Sequence, residues 1–243
     1  MKAMILAAGL GTRLRPLTND RPKALVELAG RTLLEITLVR LRAAGVTEVI
    51  VNMHHYADLI QDFLRSHDFG MRIEISPEHV LLDTGGGLKN AAWFFHDGEP
   101  FILHNVDILT NIDLAAMLHY HREENALAVL ATQDRPTSRP LLFDDHFNLC
   151  GRIVGDGEPE LVRSMESPVP LAFNGIHVIS PRIFDLMSEE GVFSIISTYL
   201  RLAAQGQVIA AFRADKYYWR DLGRPQHLDQ AVNDITAGFY PGS

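Results

Sequence analysis

The chain has 243 residues, 47% of them hydrophobic, which is the length and composition of an ordinary globular protein with one large core. Lys and Arg number 22 against 30 Asp and Glu, and the resulting formal charge of −8 argues against a nucleic-acid or membrane-surface partner. Cys150 is the only cysteine, which excludes an internal disulfide, and no segment reaches the roughly 18 consecutive apolar residues of a membrane span. We therefore expect an unexported, cytoplasmic protein.

Short apolar runs alternate with segments of helical period through the first half of the chain. Buried strands are predicted at Met4–Ala7, Glu48–Val51, Arg72–Ile75 and Phe101–His104. The intervening and following helices are predicted at Thr32–Ala44, Tyr56–Arg65, Thr84–Phe95 and Leu114–His121. Strands joined by helical crossovers imply a mainly parallel sheet with helices on both faces, that is, a three-layer, Rossmann-like α/β sandwich.

After residue 125 the pattern changes to apolar runs separated by loops rich in Pro, Asp, Ser and Gly. This is typical of a small antiparallel insertion, with strands predicted at Ala126–Ala131, Leu141–Phe143, Arg152–Val154 and Ala172–Ile179. Two further helices and a strand are predicted at Phe193–Ala204, Pro225–Thr236 and Val208–Phe212. We predict one domain over residues 1–243, with a nucleotide-type half up to about 113 and a lid-like half from about 114.

The strongest motif follows the first strand and reads Gly9-Leu10-Gly11-Thr12-Arg13, with Arg21-Pro22-Lys23 downstream. Glycines at the end of a buried strand let backbone N–H groups approach a phosphate, and the basic side chains supply positive charge. The Rossmann dinucleotide fingerprint is excluded because Leu14 stands at its third glycine position, and a P-loop is excluded because no Gly-Lys-Ser or Gly-Lys-Thr follows. The loop is therefore predicted to bind an anion.

These residues resemble the signature of the sugar-1-phosphate nucleotidyltransferases, a Gly-x-Gly-Thr-Arg loop with a downstream Pro-Lys, and the resemblance covers nearly the whole chain. Such enzymes transfer a nucleoside monophosphate from a nucleoside triphosphate to a sugar 1-phosphate and release pyrophosphate, with Mg²⁺ as cofactor. The resemblance implies that Arg13 and Lys23 are catalytic and stabilise charge at the attacked phosphorus. It implies nucleotide contacts at Ala8, Gly9, Gly11 and Thr12.

Two aspartates are the candidate Mg²⁺ ligands. Asp107 lies just beyond the predicted strand Phe101–His104, where open α/β sheets place their ligands, and Asp221 lies in a Trp-Arg-Asp-Leu-Gly-Arg-Pro segment. In the family, an Asp after a Gly and an Asp in a Trp-x-Asp-x-Gly-x-Pro motif hold the metal. Val106 replaces that first Gly here. The resemblance implies that both aspartates bind the metal and that Asp107 also contacts the nucleotide.

The sequence defines the nucleobase of the triphosphate and the accepting sugar phosphate less closely. Gly85 and Gly86, at the entry of a predicted helix, and Asn52, at the end of the second strand, are the candidate nucleotide contacts in this part of the chain. An Asn-x-His-His-x-Ala segment and a Thr-Gly-Gly-Gly-Leu segment make the chain most similar to N-acetylmuramate 1-phosphate uridylyltransferases, so UTP and that sugar phosphate are favoured. Mannose- or heptose-1-phosphate guanylyltransferases share much of the pattern and stay open.

On the sugar side, the resemblance implies contacts at Glu166, Asn174 and Gly175. Ser167 stands where many family members carry a lysine that touches the sugar phosphate, and serine supplies no charge. Arg220 or Arg224, near Asp221 in the sequence, is the hypothesised substitute.

Two other functions stay open. A non-catalytic nucleotide sensor on the same fold could lose the metal carboxylates, which this chain retains. A phosphocholine cytidylyltransferase would need an aromatic cage for a quaternary ammonium, and only Tyr217, Tyr218 and Trp219 offer one. The sequence has no extra oligomerisation region, so a monomer is expected.

Overall fold

The computed structural model describes residues 1–240. Its strands are β1 (Lys2–Leu6), β2 (Glu27–Leu28), β3 (Arg31–Thr32), β4 (Glu48–Met53), β5 (Arg72–Pro77), β6 (Phe101–Asn105), β7 (Ile108–Thr110), β8 (Ala128–Gln133), β9 (Leu141–Phe143), β10 (Leu149–Arg152), β11 (Glu160–Leu161), β12 (Val169–Ile179), β13 (Ile209–Arg213) and β14 (Trp219–Asp221). Its α-helices are α1 (Leu33–Ala43), α2 (Ala57–Ser66), α3 (Asp83–Asn90), α4 (Leu114–Glu123), α5 (Ile183–Leu186), α6 (Ile195–Ala204) and α7 (Pro225–Thr236).

The chain divides into two compact units. The first contains Met1–Leu81, His104–Ile112 and the chain from Tyr217 onward, and the second contains Leu82–Leu103 and Asp113–Lys216. Each unit draws on segments from both sides of residue 113. The single-domain organisation, with a nucleotide half and a lid half, stays a prediction.

The first unit is built on the parallel strands β1, β4 and β5, which pair in the order β1-β4-β5. Helix α1 begins where the Thr32 hydroxyl accepts a hydrogen bond from the Glu35 N–H at 3.1 Å, and its buried face presents Leu34, Leu38 and Leu41. Because the strands are parallel, their carboxyl ends share one edge of the sheet, and the loops that follow them begin there.

The second unit has a mixed sheet. Strand β8 pairs parallel with β13 and antiparallel with β12, and β12, β9, β10 and β11 continue as antiparallel neighbours. A register shift interrupts the β12–β8 pairing between Phe173 and His177. The predicted α/β class, with an antiparallel part after residue 125, is confirmed. Among residues 1–240, no helix combines the length and hydrophobicity required to cross a bilayer.

Several predicted elements have different bounds in the structure. The predicted helix Thr84–Phe95 ends as α3 at Asn90 and is followed by a single 3-10 turn. The consecutive residues Phe94 and Phe95 are both buried, and Phe95 stacks on Phe101 with ring centroids 3.8 Å apart. Ala91 is the C-cap residue of α3, so Phe94 and Phe95 lie beyond the helix and are positioned by their aromatic packing. The predicted strand Arg152–Val154 lies earlier, at Leu149–Arg152.

A buried histidine on α4 gives a testable pH dependence. Burial lowers the pKa of His121 from 6.5 to about 4, so below pH 6.5 the unfolded chain binds a proton that the folded chain excludes. Stability should therefore fall as pH falls from about 6.5 to about 4, by on the order of 3 kcal/mol for this histidine. Urea unfolding across this range measures the slope. His121→Leu should reduce this slope without removing it, because burial also lowers the pKa of His104 to about 4, whereas substitution of the exposed His119 on the same helix should leave it unchanged.

Candidate active site

The predicted anion loop leaves the carboxyl end of β1. Gly11 has φ +63°, and a Cβ there would meet the side chains of Lys23 and Thr18 at 3.0 Å. The Thr18 hydroxyl donates to the Gly11 carbonyl at 2.9 Å, and Thr12–Leu14 forms a single 3-10 turn. Only glycine fits this conformation and this space. At Gly9, by contrast, a Cβ would meet nothing within 4 Å, so open space lies beside the start of the loop.

Lys23 and Asp107 form an ion pair. The Lys23 Nζ contacts Asp107 Oδ2, and the two side chains are only 12% and 15% exposed. Lys23 opens a 3-10 turn directly after Pro22, and Asp107 lies between β6 and β7. The sequence places these residues 84 positions apart, and the fold joins them in a largely water-excluded position.

A two-stranded ribbon brings the second aspartate to the same place. Strands β7 and β14 pair antiparallel, with Ile108 opposite Asp221. The Leu222 N–H also donates to the Asp107 carbonyl at 2.8 Å. This ribbon was not predicted, because runs of three residues carry no detectable period. It makes Asp107 and Asp221 neighbours although 113 residues separate them in the chain.

The functional groups meet beside Gly223. A Cβ built on Gly223 would lie 2.7 Å from Asp221 Oδ1, 2.9 Å from Arg13 Nη2 and 3.4 Å from Lys23 Nζ. The Gly223 N–H donates to Asp221 Oδ1 at 2.6 Å, which orients that carboxylate. The first unit thus brings together all four side chains predicted to be catalytic or metal-binding. Sequence reasoning missed Gly223 itself, and its signal was the Asp-x-Gly spacing.

The charges of this cluster suit a divalent cation. Arg13 and Lys23 balance Asp107 and Asp221, so the four side chains together carry no net charge, whereas a triphosphate is strongly anionic and is repelled by carboxylates at short range. Among the residues that the structure describes, no three His, Cys, Asp or Glu side chains gather as a complete metal site. Mg²⁺ needs no such cage, since one or two carboxylates, water and substrate phosphates are its usual ligands. The donor set therefore fits a divalent ion shared with a phosphate substrate.

Asn52, on strand β4, is hydrogen-bonded to the backbone at the start of the anion loop. Its Oδ1 accepts from the Ala7 N–H and its Nδ2 donates to Glu78 Oε1, each at 2.7 Å. Glu78, 6% exposed just after β5, is a buried carboxylate whose role the sequence does not indicate. The two bonds fix the backbone that leads into Ala8, which is itself buried. Direct contact between Asn52 and a nucleotide stays a prediction.

Comparison with known proteins decides the family. Residues 2–140, more than half of the chain, match the family model described as nucleotidyl transferase. A relative, the N-acetylmuramate alpha-1-phosphate uridylyltransferase of Caulobacter vibrioides, is 38% identical, with 92% of each chain covered. The chain belongs to the nucleotidyl transferase family.

Two other comparisons place this nucleotidyltransferase more broadly. The mannose-1-phosphate guanyltransferase of Yarrowia lipolytica is 30% identical over 93% of this chain but only 61% of its own length. The UDP-glucose pyrophosphorylase from Acinetobacter baumanii superposes with a TM-score of 0.81, covering 99% of this chain and 95% of that one, and at 16% identity it shows the fold alone. The predicted enzyme class and Rossmann-like fold are confirmed, as is the motif-based resemblance to the sugar-1-phosphate nucleotidyltransferases.

The candidate base contacts of the nucleotidyltransferase lie in the second unit. A Cβ on Gly85 would lie 2.5 Å from the Phe193 ring, and one on Gly86 would strike the carbonyl oxygen of Gly191. The N–H groups of both glycines donate to the Phe193 carbonyl, at 2.9 and 3.2 Å. These glycines therefore let α3 pack against residues 191–193. Their contact with a base stays a prediction.

The candidate sugar-binding residues differ in burial and in their hydrogen-bond partners. Asn174 is fully buried at the register shift of β12, beside Gly175 with φ +77°, and its Oδ1 accepts from the Arg135 guanidinium. Sequence reasoning missed Arg135, which also donates to the Phe173 carbonyl at 2.9 Å. Glu166 is exposed. All three predicted contacts with sugar remain predictions.

The two candidate substitutes for the missing lysine differ. The Arg220 guanidinium is bound to Asp234, Gln230 and the hydroxyl of Tyr218. That hydroxyl also donates to Asp234, which is the main reason that the pKa of Asp234 lies below its ordinary value. Arg224 is exposed just before α7 and has no side-chain partner among the described residues. Contact of either arginine with a sugar phosphate stays a prediction.

Alanine at Gly223 tests whether the point beside this glycine is part of the reacting site. The added methyl would displace Arg13, Lys23 and Asp221, whose contacting atoms are the far ends of side chains and can move at small cost in stability. We expect turnover by the nucleotidyltransferase to fall about tenfold through misplacement of these groups, with an almost unchanged unfolding midpoint. Steady-state kinetics and thermal unfolding measure the two effects. Unchanged turnover would show that the space beside Gly223 takes no part in the reaction.

Proposed function

We propose that this nucleotidyltransferase couples UTP to N-acetylmuramate 1-phosphate, giving the UDP-sugar and pyrophosphate for use in cell-wall metabolism. The similarity at 38% identity to a uridylyltransferase of that name, over 92% of each chain, supports the substrate pair. The observation that carries the proposed chemistry is the meeting of Arg13, Lys23 and Asp221 at one point beside Gly223, with Asp107 paired to Lys23.

In the proposed reaction, a phosphate oxygen of the sugar phosphate attacks the α-phosphorus of UTP. The new P–O bond forms as the bond between the α-phosphorus and the bridging oxygen of the β-phosphate breaks, and pyrophosphate leaves with that electron pair. The attacking oxygen is already anionic at neutral pH, so no general base is required. This agrees with a cluster whose polar side chains are two cations and two carboxylates.

The residues of the cluster have separate roles in this proposal. Arg13 and Lys23 neutralise the negative charge that develops on the transferred phosphate, in a site where Lys23 is largely removed from water. Gly9, with open space at its Cβ position, lets the phosphates approach the loop. Asp107 and Asp221 would hold Mg²⁺, which supplies further charge neutralisation when bound.

A pyrophosphate-release assay tests the substrate pair. UTP, GTP, CTP, ATP and dTTP are crossed with the 1-phosphates of N-acetylmuramate, N-acetylglucosamine, glucose, mannose and heptose, and with phosphocholine, each with Mg²⁺ and with EDTA. We expect UTP with N-acetylmuramate 1-phosphate to give the highest kcat/KM and EDTA to abolish release. Release that persists in EDTA would overturn the metal assignment, and absence of release from every pair would favour a nucleotide sensor.

The second candidate is a mannose-1-phosphate guanylyltransferase, which the similarity to the Yarrowia lipolytica protein favours. The same assay separates the two, because GTP with mannose 1-phosphate would then be the preferred pair. We further propose that the enzyme acts in the cytoplasm, where nucleoside triphosphates are available, and as a monomer. Light scattering should then give a mass near 27.1 kDa.

A further inference from the structure

Helix α7 is hydrogen-bonded to strand β14, which carries Asp221. Oδ2 of Asp234, near the end of α7, accepts hydrogen bonds from Arg220 Nε at 2.9 Å and from Arg220 Nη2 at 2.6 Å. The same oxygen accepts from the Tyr218 hydroxyl at 2.7 Å, and Arg220 Nη1 donates to Gln230 at 2.6 Å. A single carboxylate on the helix thus holds two side chains of the segment 218–221.

Arg220 and Asp221 point to opposite faces of this segment, as successive residues of a strand do. Arg220 contacts α7, whereas the Asp221 carboxylate lies with Arg13 and Lys23 beside Gly223. The helix has a second attachment, because His227 Nδ1 lies 2.7 Å from the Asp221 carbonyl oxygen and donates to it. Helix α7 therefore holds both the side chain of Arg220 and the backbone of Asp221.

We call the contacts of Asp234 with Arg220 and Tyr218 the brace. The β7–β14 ribbon needs such support because it is short. Strands β7 and β14 have three residues each, and a two-stranded ribbon of that length is marginally stable by itself. The Arg220–Asp234 pair is about three-quarters buried, with side chains 26% and 21% exposed, so it is less screened than a surface ion pair. Rigid attachment limits the positions that the Asp221 carboxylate can take.

On the basis of the metal role proposed above for Asp221, we propose that Asp234 and Arg220 are positioning residues for the Asp221 carboxylate. Arg220 then acts through the backbone of its neighbour and does not contact the sugar phosphate. Partners behind a metal ligand typically change metal affinity by about ten- to a hundredfold when they are lost. The brace is thus predicted to set the affinity for the divalent ion and to leave the sugar-phosphate affinity unchanged.

The test uses Asp234→Asn, which keeps the shape of the side chain, and Arg220→Lys, which keeps the charge. Asp229→Asn, an exposed carboxylate on the same helix, is the matched control. Mn²⁺ binding to each protein with UTP is measured by electron paramagnetic resonance, without any sugar phosphate. We expect the Mn²⁺ dissociation constant to rise about tenfold in Asp234→Asn, less in Arg220→Lys and not at all in the control.

The KM for the sugar phosphate then separates the two roles of Arg220. The proposal requires it to stay within about twofold of the wild type in both variants at saturating metal, as expected for a group that does not bind substrate. A rise in this KM with unchanged Mn²⁺ affinity would show that Arg220 is a sugar-phosphate ligand and would overturn the proposal. An unchanged Mn²⁺ affinity with only a lower unfolding midpoint would also overturn it.

If Asp234→Asn fails to fold, Tyr218→Phe removes one of the bonds to Asp234 and should raise the Mn²⁺ dissociation constant in the same direction by a smaller factor. Because Mn²⁺ binding is measured without an acceptor, the result is independent of which sugar phosphate the enzyme uses. If the wild type binds no Mn²⁺ with any of the five triphosphates, the metal role of Asp221 fails first, and with it the proposed function.

Discussion

Replacing Lys23 with alanine should lower turnover at least about a hundredfold, because the transition state loses a cation held in a largely water-excluded site. No second lysine lies near in the sequence to replace it, and Arg13 alone would face the two carboxylates of the cluster. Steady-state pyrophosphate release at saturating substrates measures the loss. Lys216→Ala, at an exposed lysine of the second unit, is the control and should retain full turnover.

The same variant separates the role of Lys23 from that of Asp107. In the structure the Lys23 ammonium contacts Asp107 Oδ2 and would compete there with a divalent ion. Lys23→Ala should therefore leave Mn²⁺ binding unchanged or make it tighter, whereas Asp107→Ala should lose both metal binding and turnover. Near-normal turnover of folded Lys23→Ala would refute the proposed transition-state role.

Gly86→Ala should destabilise the fold by about 3 kcal/mol, the upper part of the usual range for overpacking. An alanine in a helix interior is ordinarily more stable than a glycine by about 1 kcal/mol. At Gly86, however, the Cβ would strike the backbone carbonyl of Gly191, and moving a backbone segment costs more than moving a side chain. The cost of the clash therefore exceeds the gain in helix propensity, and the net effect is a loss of stability. The melting temperature should fall by roughly 6 to 12 °C.

Gly9→Ala is the control for this substitution. A Cβ at Gly9 meets no atom within 4 Å, so the melting temperature should hardly change. Its turnover should nevertheless fall, since the new methyl enters the space assigned to the phosphates. A melting temperature of Gly86→Ala equal to that of the wild type would contradict the packing role, and a KM for UTP raised without loss of stability would support base contact in its place.

Much of the site could be predicted because its chemistry lies in short local motifs. The glycine loop with Arg13 and the Pro-Lys at Lys23 need only a few neighbouring residues to be recognised, and positive φ at Gly11 explains the glycine. The predicted helix Thr32–Ala44 agrees with α1 to within one residue at each end. Its capping threonine and its apolar face can both be recognised from residues close together in the sequence. These features depend on contacts within a few positions along the chain.

The surroundings of residues that contact distant segments could not be predicted from the sequence. Gly85 and Gly86 pack against Phe193 and Gly191, about a hundred positions away, which no local motif indicates, and their contact with a base stays a prediction. Arg220, one of the two hypothesised sugar-phosphate ligands, is bound to Asp234, a contact that its closeness to Asp221 in the sequence does not indicate. Glu78 gave no local signal of its bond to Asn52.

The sequence by itself determined the α/β class and identified the candidate phosphate loop and the four charged candidate residues, since hydrophobic period and local motif composition are properties of neighbouring residues. Only the tertiary structure decided that Arg13, Lys23 and Asp221 meet beside Gly223, with Asp107 paired to Lys23. Their meeting depends on a three-residue ribbon, β7–β14, that pairs segments more than a hundred positions apart. Such short strands have too few residues to show a period, and their pairing is stabilised by contacts with α7 and by the burial of the surrounding fold.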